Sequence, residues 1–508
     1  MNKILPSVLL CCYCGNMFSQ SHSDIWLIGR TLFPFEAIQF DFMSGLPTQS
    51  TVYTGIYMGS ATNSSIGNEN GELLMYTNGI AIANKLGELM ENGDSLNTGA
   101  WADAVGDNGY PVAQGAFFIP APDNTDQYYL FHMFIDLVGN GAPLTKFLYS
   151  LIDLSYNNGL GKIIEKNVPL LTGGYLLNYN QATAVRHANG RDWWIVVPNH
   201  MQPQYFRFLL TPDGIEGPWI QEIGFKQPTD NWWDYSFGQR LFSPDGSKFA
   251  DYDFLNYTQV FNFDRCSGLL SNPILIEHDI DPVVNNGGSS IAFSPSGRFL
   301  YMSRTKNGYA LFQYDMEADD ILASEIIISH CINPPPFSCS FDNLILGADG
   351  KIYVDGADTL SFHCINFPDE KGIDCDFDFQ GFNLISSNPN PWFPYFPNYR
   401  LGALAGSVCD SIVSGDENVI IGKPELLLSP NPASDYVEVS VNLPRHLFGQ
   451  NVELVLLNPL GQIVEAHGYD MTVQQYQFDV TALPPGLYSI ALQFDGRVAG
   501  AVQLSIVR

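Results

Sequence analysis

The amino-acid sequence predicts an all-β protein, a six- or seven-bladed β-propeller followed by a small Ig-like antiparallel β-sandwich. Three observations predict this fold class. Short apolar strands recur around turns of the Pro-Asp-Gly type, and the repeats lie about one propeller blade apart. Residues 425–508 instead alternate polar and apolar side chains with the period of half-buried strands.

Composition limits the class of partner and the number of domains. The 508 residues include 23 basic and 53 acidic side chains, a formal net charge of −30. This charge argues against nucleic acid and anionic membranes as partners, because both would meet a field of their own sign. Since 45% of the residues are hydrophobic and 15% are charged, the chain can bury a large core. At about 100–200 residues per domain, its length predicts two or three domains.

The first twenty residues have the features of a secretory signal peptide. Lys3 precedes an apolar run at residues 4–13, and the small residue Ser19 follows near the end of the segment. We therefore predict a signal peptide at residues 1–20 and export through the periplasm. The alternatives are a buried N-terminal element and a lipoprotein acylated in the Cys11-Cys12 pair. No later run reaches the ~18 apolar residues of a membrane-spanning helix, so we expect no transmembrane segment.

The clearest repeats are strand–turn–strand units in the middle of the chain. Phe242, Phe293 and Leu346 occupy equivalent places in them, 51 and 53 residues apart (293 − 242 and 346 − 293), each before a turn. In the first turn, Pro244 presets the backbone and Gly246 takes a conformation that other residues resist. Each unit is therefore a predicted hairpin, and the spacing is close to the ~50-residue blade of a kelch-like propeller.

Weaker copies extend the series towards the N-terminus, at residues 70–76, 126–131 and 189–197. Six units are visible. A seventh could close the ring by joining a strand near residues 38–42 with a C-terminal strand before Tyr399. A β-helix needs much shorter coils, and a single sandwich of this size would exceed an ordinary domain. We therefore predict a propeller over residues 21–410.

The cysteines agree with export. Three of the nine lie in the predicted signal peptide, which leaves an even number, compatible with an oxidised chain. The short separations within residues 331–339 and 364–375 favour local pairs, which would leave Cys266 with Cys409. Buried free thiols are the alternative. The cysteines concerned are Cys266, Cys331, Cys339, Cys364, Cys375 and Cys409.

Motifs for common chemistry are missing, since the sequence has no GxSxG, HExxH, GxxxxGK[ST] or helix-opening GxGxxG segment. A propeller enzyme could still gather its residues from several blades. His132, His187 and His200 lie near predicted strand ends and would be the histidines of such a site. A scattered histidine more often has a structural role, so we assign no catalytic or cofactor-binding residue.

Carboxylates and aromatic rings offer two further interpretations. Asp251 and Asp253 form a pair expected from composition alone, whereas the trio Asp374, Asp376 and Asp378 could hold calcium through hard oxygen ligands. The trio lacks the spacing of an EF-hand, so we expect no cofactor and leave calcium open. The rings at residues 232–235 and 391–397 could stack on a sugar or a protein. We favour the alternative that they pack between blades or over an end of the ring.

A polar, aperiodic stretch at residues 411–424 predicts a linker. Beyond it, short alternating strands predict the sandwich. The segments Leu428–Asp435, Leu457–Val464 and Leu483–Tyr488 resemble, in order, the PNP opening, the L-x-x-x-G-x-x-V middle and the LP-x-G-x-Y close of the type A C-terminal sorting domain of the type IX secretion system. The residues that match this sorting motif are Pro430, Asn431, Pro432, Gly461, Gly486 and Tyr488.

The resemblance implies transport across the outer membrane of a Bacteroidota-type bacterium by the type IX machinery. It also implies removal of residues 425–508 by a sortase-like peptidase, with release or attachment at the cell surface. An unrelated Ig-like adhesion module is the alternative. The middle of the chain resembles uncharacterised secreted propellers that accompany such domains, at residues 71–79, 183–194 and 264–273. That family implies a fold and no activity.

These observations predict a secreted or cell-surface propeller that binds a protein or glycan and is not an enzyme. The alternative is an extracellular propeller hydrolase or lyase that acts at the central channel. Several carboxylates and a histidine converging in the channel would favour the enzyme, whereas a channel filled with apolar rings would favour binding by edges and loops. A structural surface-layer protein is a third hypothesis and predicts self-association.

Overall fold

The structure is a computed structural model. It describes residues 22–31, 35–136, 144–177, 182–199, 202–226, 238–253, 257–278, 290–305, 308–331, 340–356, 360–386, 392–409, 425–442, 452–458, 463–468, 475–494 and 497–507. The predicted signal peptide at 1–20 and the predicted linker at 411–424 lie outside these residues. The chain divides into two compact units, Met1–Arg186 with Arg191–Asn262 and Asn272–Gly402, and His187–Gly190 with Phe263–Ser271 and Ala403–Arg508.

Seven antiparallel sheets follow one another along the first part of the chain. The first has strands β1 (Ile25–Thr31), β2 (Glu36–Asp41) and β3 (Thr48–Tyr53). The second has β4 (Ser64–Gly67), β5 (Leu73–Thr77) and β6 (Ile82–Asn84), followed by helix α1 (Ala100–Val105) and a 3-10 turn at Gly106–Asn108. The third has β7 (Ala116–Pro120), β8 (Gln127–Ile135), β9 (Leu144–Asp153) and β10 (Lys162–Leu177), with a 3-10 turn at Asn157–Gly159.

The remaining four sheets each have four strands in sequence order. The fourth has β11 (Thr183–Arg186), β12 (Trp193–Pro198), β13 (Gln204–Thr211) and β14 (Gly214–Glu222). The fifth has β15 (Gly238–Phe242), β16 (Lys248–Asp253), β17 (Tyr257–Asp264) and β18 (Leu269–Glu277). The sixth has β19 (Ile291–Phe293), β20 (Phe299–Thr305), β21 (Tyr309–Asp315) and β22 (Ile326–Cys331), with a 3-10 turn at Leu322–Ser324. The seventh has β23 (Leu344–Leu346), β24 (Ile352–Val354), β25 (Ser361–Ile365) and β26 (Phe377–Asn383), with a 3-10 helix at Gly372–Cys375.

The sheets are arranged as the blades of a propeller. The first strands of neighbouring sheets contact each other, as β4 does with β7 and β19 with β23, so these strands line the centre. Later strands follow outwards in order. The predicted propeller is therefore confirmed, with seven sheets among the described residues.

The Pro-Asp-Gly turns form as the sequence predicts. Gly246 and Gly297 have φ values of 73° and 76°, the left-handed region that glycine adopts at little cost. In the first turn, the Asp245 carboxylate accepts the Ser247 backbone N–H at 3.0 Å. Each turn then joins an inner strand to the second strand of its sheet, β15 to β16 and β19 to β20.

Apolar side chains from facing sheets fill the spaces between blades. The ring closes where the first sheet packs against the seventh, around Trp26 of β1. Its ring lies 4.6 Å from that of Phe42, 5.7 Å from Tyr353 of β24 and 5.9 Å from Phe393, measured between centroids. The first and last blades are therefore joined by aromatic packing.

The predicted seventh unit is correct in its N-terminal part and wrong in its C-terminal strand. β2 contains most of the predicted strand near residues 38–42 and pairs with β1 and β3. Residues 392–400 form no strand. Pro394 and Pro397 explain this, because proline has no N–H to donate to a β-ladder.

The C-terminal strands form two antiparallel sheets that fit a small sandwich. The first sheet has strands β27 (Glu425–Ser429), β28 (Tyr436–Asn442) and β31 (Gln475–Asp479). The second has β30 (Ile463–Gly468), β29 (Val452–Leu457), β32 (Gly486–Phe494) and β33 (Arg497–Ile506), in that spatial order. Alternate residues such as Val437 and Val439 are buried in a common core, as the period-two pattern requires. The pattern had not indicated β27 or β30.

Candidate functional site

The centre of the propeller contains residues 392–400, called here the central segment. The Tyr395 N–H donates to the Asn63 carbonyl at 2.8 Å, and the Ser64 hydroxyl donates to the Tyr395 carbonyl at 2.8 Å. The Asn63 amide donates to the Leu27 carbonyl at 2.8 Å and to the Trp392 carbonyl at 3.0 Å. The segment therefore runs along the inner edges of the first and second sheets.

Two tyrosines of the central segment reach the inner strands of other sheets. The Tyr395 ring lies 5.8 Å from Phe117 of β7, and its hydroxyl donates to the Arg240 carbonyl of β15 at 3.4 Å. The Tyr399 hydroxyl donates to the Phe118 carbonyl at 2.7 Å. Burial raises the pKa of both phenols. These side chains occupy the space where the alternative hypothesis places a catalytic channel.

The predicted rings at residues 391–397 thus pack inside the fold, and the structure describes them from Trp392 onwards. Phe393 lies 4.9 Å from Phe362 of β25, between ring centroids. This agrees with the packing role favoured from the sequence. The other aromatic group, residues 232–235, lies outside the described residues.

The described candidate histidines are buried, with both ring nitrogens engaged. His132 Nδ1 lies 2.7 Å from Asn97 Oδ1, and its Nε2 lies 3.1 Å from Ser150 Oγ. Burial lowers the pKa of His132 to about 3. His187 Nε2 lies 3.0 Å from the Cys266 carbonyl, and its Nδ1 accepts the Asn189 N–H at 3.0 Å. These contacts are those of structural histidines; His200 lies outside the described residues.

The predicted carboxylates Asp251 and Asp376 contact different protein groups. Asp251 pairs with the buried Arg240, at 2.6 Å from Oδ1 to Nε, and accepts the Tyr205 hydroxyl at 2.7 Å. Asp253 is buried at the end of β16. Of the trio proposed for calcium, Asp376 accepts the Asn366 amide at 3.2 Å. The described residues contain no group of three or more His, Cys, Asp or Glu side chains arranged to hold a metal ion.

Of the six predicted cysteines, the structure describes five: three are disulfide-bonded and two are free. Cys266 is joined to Cys409, with Cα atoms 5.8 Å apart. Cys331 is also disulfide-bonded, and its expected partner Cys339 lies outside the described residues. Cys364 and Cys375 are free and buried, so the local pair expected between them is wrong.

The free cysteines cannot pair because they lie on opposite faces of the seventh sheet. Cys364 packs in the cluster around Trp26, next to the first sheet. Cys375 packs in the cluster around Tyr301, next to the sixth sheet. A short separation in sequence therefore did not bring the two sulfur atoms together. Burial raises the pKa of Cys364 to about 12 and raises that of Cys375, so both remain protonated thiols.

The PNP opening holds the last strand of the second unit. The Asn431 amide donates to the Gln503 carbonyl at 2.8 Å, and its Oδ1 accepts the Ser505 N–H at 2.9 Å. The buried Ala433 continues the contact, since its N–H donates to the Ser505 carbonyl at 2.9 Å. Pro430 and Pro432 are exposed on either side of Asn431. The asparagine side chain therefore replaces a missing backbone partner of β33.

The LP-x-G-x-Y motif stabilises the turn that leads into β32. Gly486 begins this strand and pairs with Ile506. Tyr488 is buried in the core, and its hydroxyl donates to the Pro484 carbonyl at 3.1 Å. Gly461, from the middle motif, lies outside the described residues. The described motif residues thus stabilise the strands and turns of this unit.

The family model of the secretion system C-terminal sorting domain matches residues 428–501. The chain carries a type IX sorting domain. A domain of this family interacts with the secretion machinery and marks the protein for export to the cell surface or for secretion. Across the described residues, no helix combines the length and apolar character needed to cross a membrane.

No curated protein is detectably similar to the chain. Solved structures that resemble it include a proposed 6-phosphogluconolactonase from Bacteroides uniformis, at 15% identity and a TM-score of 0.43, covering 73% of this chain and 99% of that one. The periplasmic gluconolactonase of Pseudomonas aeruginosa shares 13% identity with a TM-score of 0.37, covering 95% and 99%. A β-propeller domain from Myceliophteria thermophila shares 11% identity with a TM-score of 0.37, covering 66% and 94%. At these values the three structures carry no argument about activity.

Proposed function

We propose that the chain is an exported, non-enzymatic propeller that binds a protein or a glycan at the cell surface. In this proposal residues 1–20 are a signal peptide, 21–410 the propeller, 411–424 a linker and 425–508 the sorting domain, which a sortase-like peptidase removes. The observation that carries the binding role is the central segment. Tyr395 and Tyr399 fill the space in which a channel enzyme would bind its substrate.

The state of the histidines supports the same conclusion. A general base needs a pKa near the working pH and access to the proton that it removes. His132 is buried with a pKa of about 3, and its two nitrogens contact Asn97 and Ser150. Neither of these two partners is a carboxylate. His132 therefore lacks the environment that the hydrolase hypothesis requires.

A loop of the seventh sheet offers a contact surface. Residues 366–376, called here the acidic loop, are tied to the sixth sheet through backbone groups. The Tyr301 hydroxyl donates to the Pro368 carbonyl at 2.9 Å. The Gln313 amide donates to the Glu370 carbonyl at 2.7 Å and accepts the Gly372 N–H at 2.8 Å. The loop is therefore held in one conformation before any partner arrives, which reduces the entropy cost of binding.

The acidic loop presents apolar side chains to solvent. Ile373 is 94% exposed and Phe367 is 59% exposed, although neighbouring Pro368 and Cys375 are buried. Both apolar side chains would lose contact with water on binding, which is the usual source of affinity at the centre of an interface. The surrounding carboxylates could accept hydrogen bonds from amines or hydroxyl groups. They are Asp369, Glu370, Asp374 and Asp376, all exposed.

The test measures binding of the purified full-length protein to washed cells of the producing bacterium and to its extracted surface polysaccharide. We expect saturable binding that weakens at least about tenfold in the double variant Phe367→Ser/Ile373→Ser, since buried apolar anchors dominate interface energies. Leu322→Ser is the matched control, because Leu322 is 52% exposed on a different loop. Protease treatment of the cells separates a protein partner from a glycan.

Two results would contradict the proposal. Equal binding by the wild type and the Phe367/Ile373 double variant would remove the acidic loop from the contact surface. Hydrolysis of a lactone or of the extracted polysaccharide by the purified wild type would make the protein an enzyme.

A further inference from the structure

The buried Asp355 and the partly buried Asp342 lie where the inner strands of the seventh sheet end and begin. Asp342 precedes β23 and Asp355 follows β24. The Asp342 N–H donates to the Asp355 carbonyl at 2.8 Å, whereas the Asp355 N–H donates to the Asn343 carbonyl at 2.9 Å. Two residues of one strand thus oppose one residue of the other, as in a β-bulge. Bulges re-aim side chains and are common beside functional sites.

The side chains around the bulge leave one oxygen without a partner. The Asn343 amide donates to Asp355 Oδ2 at 3.1 Å, and the Ser340 hydroxyl donates to Asp342 Oδ2 at 2.8 Å. Asp355 is only 3% exposed, and its Oδ1 is buried with no hydrogen-bond partner. A buried oxygen in this state costs free energy unless a proton, a water molecule or a cation satisfies it.

The two carboxylates also repel each other. Burial, and then the charge of Asp342, raise the pKa of Asp355 well above its ordinary range. Burial also raises the pKa of Asp342.

The sequence around this pair carries little positive charge. Residues 332–363 contain one lysine and no arginine. That lysine, Lys351, lies in the turn at the other end of β24 and donates to Asn366 Oδ1 at 2.7 Å. His363 uses Nδ1 to accept the Gln380 N–H at 2.9 Å. Among the described residues, neither Asp342 nor Asp355 forms an ion pair with a lysine or arginine.

We propose that Asp342, Asn343 and Asp355 form a binding site for a hard divalent cation, with Ca²⁺ the ion that this oxygen set suits. Carboxylate and amide oxygens are the ligands that Ca²⁺ takes in proteins. The unpartnered Asp355 Oδ1 provides one ligand and the Asp342 carboxylate a second. The Asn343 amide, which donates to Asp355 Oδ2 in the absence of a cation, provides a third through its carbonyl oxygen once the amide group turns over. With only two carboxylates, the site belongs to the weak class of extracellular calcium sites, whose dissociation constants are about 10⁻⁴–10⁻³ M.

The site has a structural consequence for the inner strands. Leu344, next to Asn343, donates its N–H to the Ser290 hydroxyl at 2.7 Å, and Ser290 donates to Gln239 Oε1 at 2.6 Å. A chain of hydrogen bonds therefore links the starts of the inner strands in the fifth, sixth and seventh sheets. A cation bound to Asp355 would hold the start of β23 in place, where Leu344 ends this chain of hydrogen bonds.

The test uses the full-length oxidised protein, stripped with a chelator and titrated with CaCl₂ by isothermal titration calorimetry. We expect one site in the wild type and binding at least about tenfold weaker in Asp355→Asn, which keeps the shape and removes the charge. Asp376→Asn is the matched control, because this exposed carboxylate lies on the same sheet and outside the pair. It should bind Ca²⁺ as the wild type does.

A second measurement protects the test against a variant that does not fold. Tb³⁺ luminescence, excited through the aromatic residues of the wild type, should rise on addition of Tb³⁺ and fall when Ca²⁺ displaces it. Absence of both the calorimetric signal and the displaceable luminescence in the wild type would overturn the proposal, and the pair would then share a proton instead. Equal Ca²⁺ binding by folded Asp355→Asn and wild type would overturn it as well.

Discussion

Removing the disulfide between Cys266 and Cys409 should destabilise the protein more than removing a buried cysteine that forms no disulfide. The variant is Cys266→Ala/Cys409→Ala, which leaves neither a buried hydroxyl nor an unpaired thiol. Both cysteines are buried, and they pack with Ala188. The covalent loop that they close contains the central segment, residues 392–400. In the variant, only noncovalent contacts hold the chain that fills the centre of the propeller.

The sequence separation sets the expected magnitude. The cysteines are 143 residues apart. In the chain-entropy model, closing a loop of this length lowers the entropy of the unfolded state and raises its free energy by about 5 kcal/mol near room temperature. Removing a native disulfide typically costs about 2–5 kcal/mol, so the model value is an upper bound. Since domains are stable by only about 5–15 kcal/mol, the loss is a large share of the total.

Equilibrium unfolding in guanidinium chloride, followed by tryptophan fluorescence, measures this loss. All eight tryptophans lie between Trp26 and Trp392, so the signal reports on the propeller and not on the sorting domain. Cys364→Ala is the control, because it removes an equally buried sulfur that forms no disulfide. If the double variant loses no more stability than Cys364→Ala does, the disulfide does not stabilise the protein as expected.

Two further predictions concern the sorting domain and one buried histidine. Asn431→Ala removes both hydrogen bonds to β33 and should lower the stability of the sorting domain by about 1–3 kcal/mol. Hydrogen exchange of residues 425–507 would measure this loss, and the amount of protein in the culture medium would show its effect on export. Unchanged exchange would contradict the prediction. For His132, burial lowers the pKa from 6.5 to about 3, so the unfolded state binds the proton first and stability is lost as the pH falls below 6.5. From about pH 7 to about pH 5 this amounts to about 2 kcal/mol, and a folded His132→Gln variant that shows the same decrease would disprove the assignment.

Features that depend on neighbouring residues were predictable from the sequence. Pro244, Asp245 and Gly246 act within a single turn, and the turn forms with Gly246 at a φ of 73°. The alternation of residues 436–441 likewise decides which side chains of β28 are buried. Because these rules operate over a few residues, a repeated turn and strand predicted each blade from the second to the seventh.

Features that depend on distant residues were not predictable in the same way. Spacing suggested that Cys364 and Cys375 pair, but a sheet lies between the clusters in which they are buried. The rings near Tyr395 were expected to pack in the fold, yet nothing in their local pattern indicated the inner strands that they contact. Nothing in the sequence indicated the bulge in which Asp342 and Asn343 lie opposite Asp355.

The sequence by itself determined the all-β class, the blade repeat and the sorting domain, because turn chemistry, strand alternation and the PNP motif are local properties of the chain. Only the tertiary structure decided that residues 392–400 fill the centre, that Cys364 and Cys375 lie in separate clusters and that Asp355 keeps an unpartnered oxygen. The physical reason is that burial and pairing depend on which strands meet. Which strands contact each other depends on the packing of all seven sheets, and no short stretch of sequence specifies it.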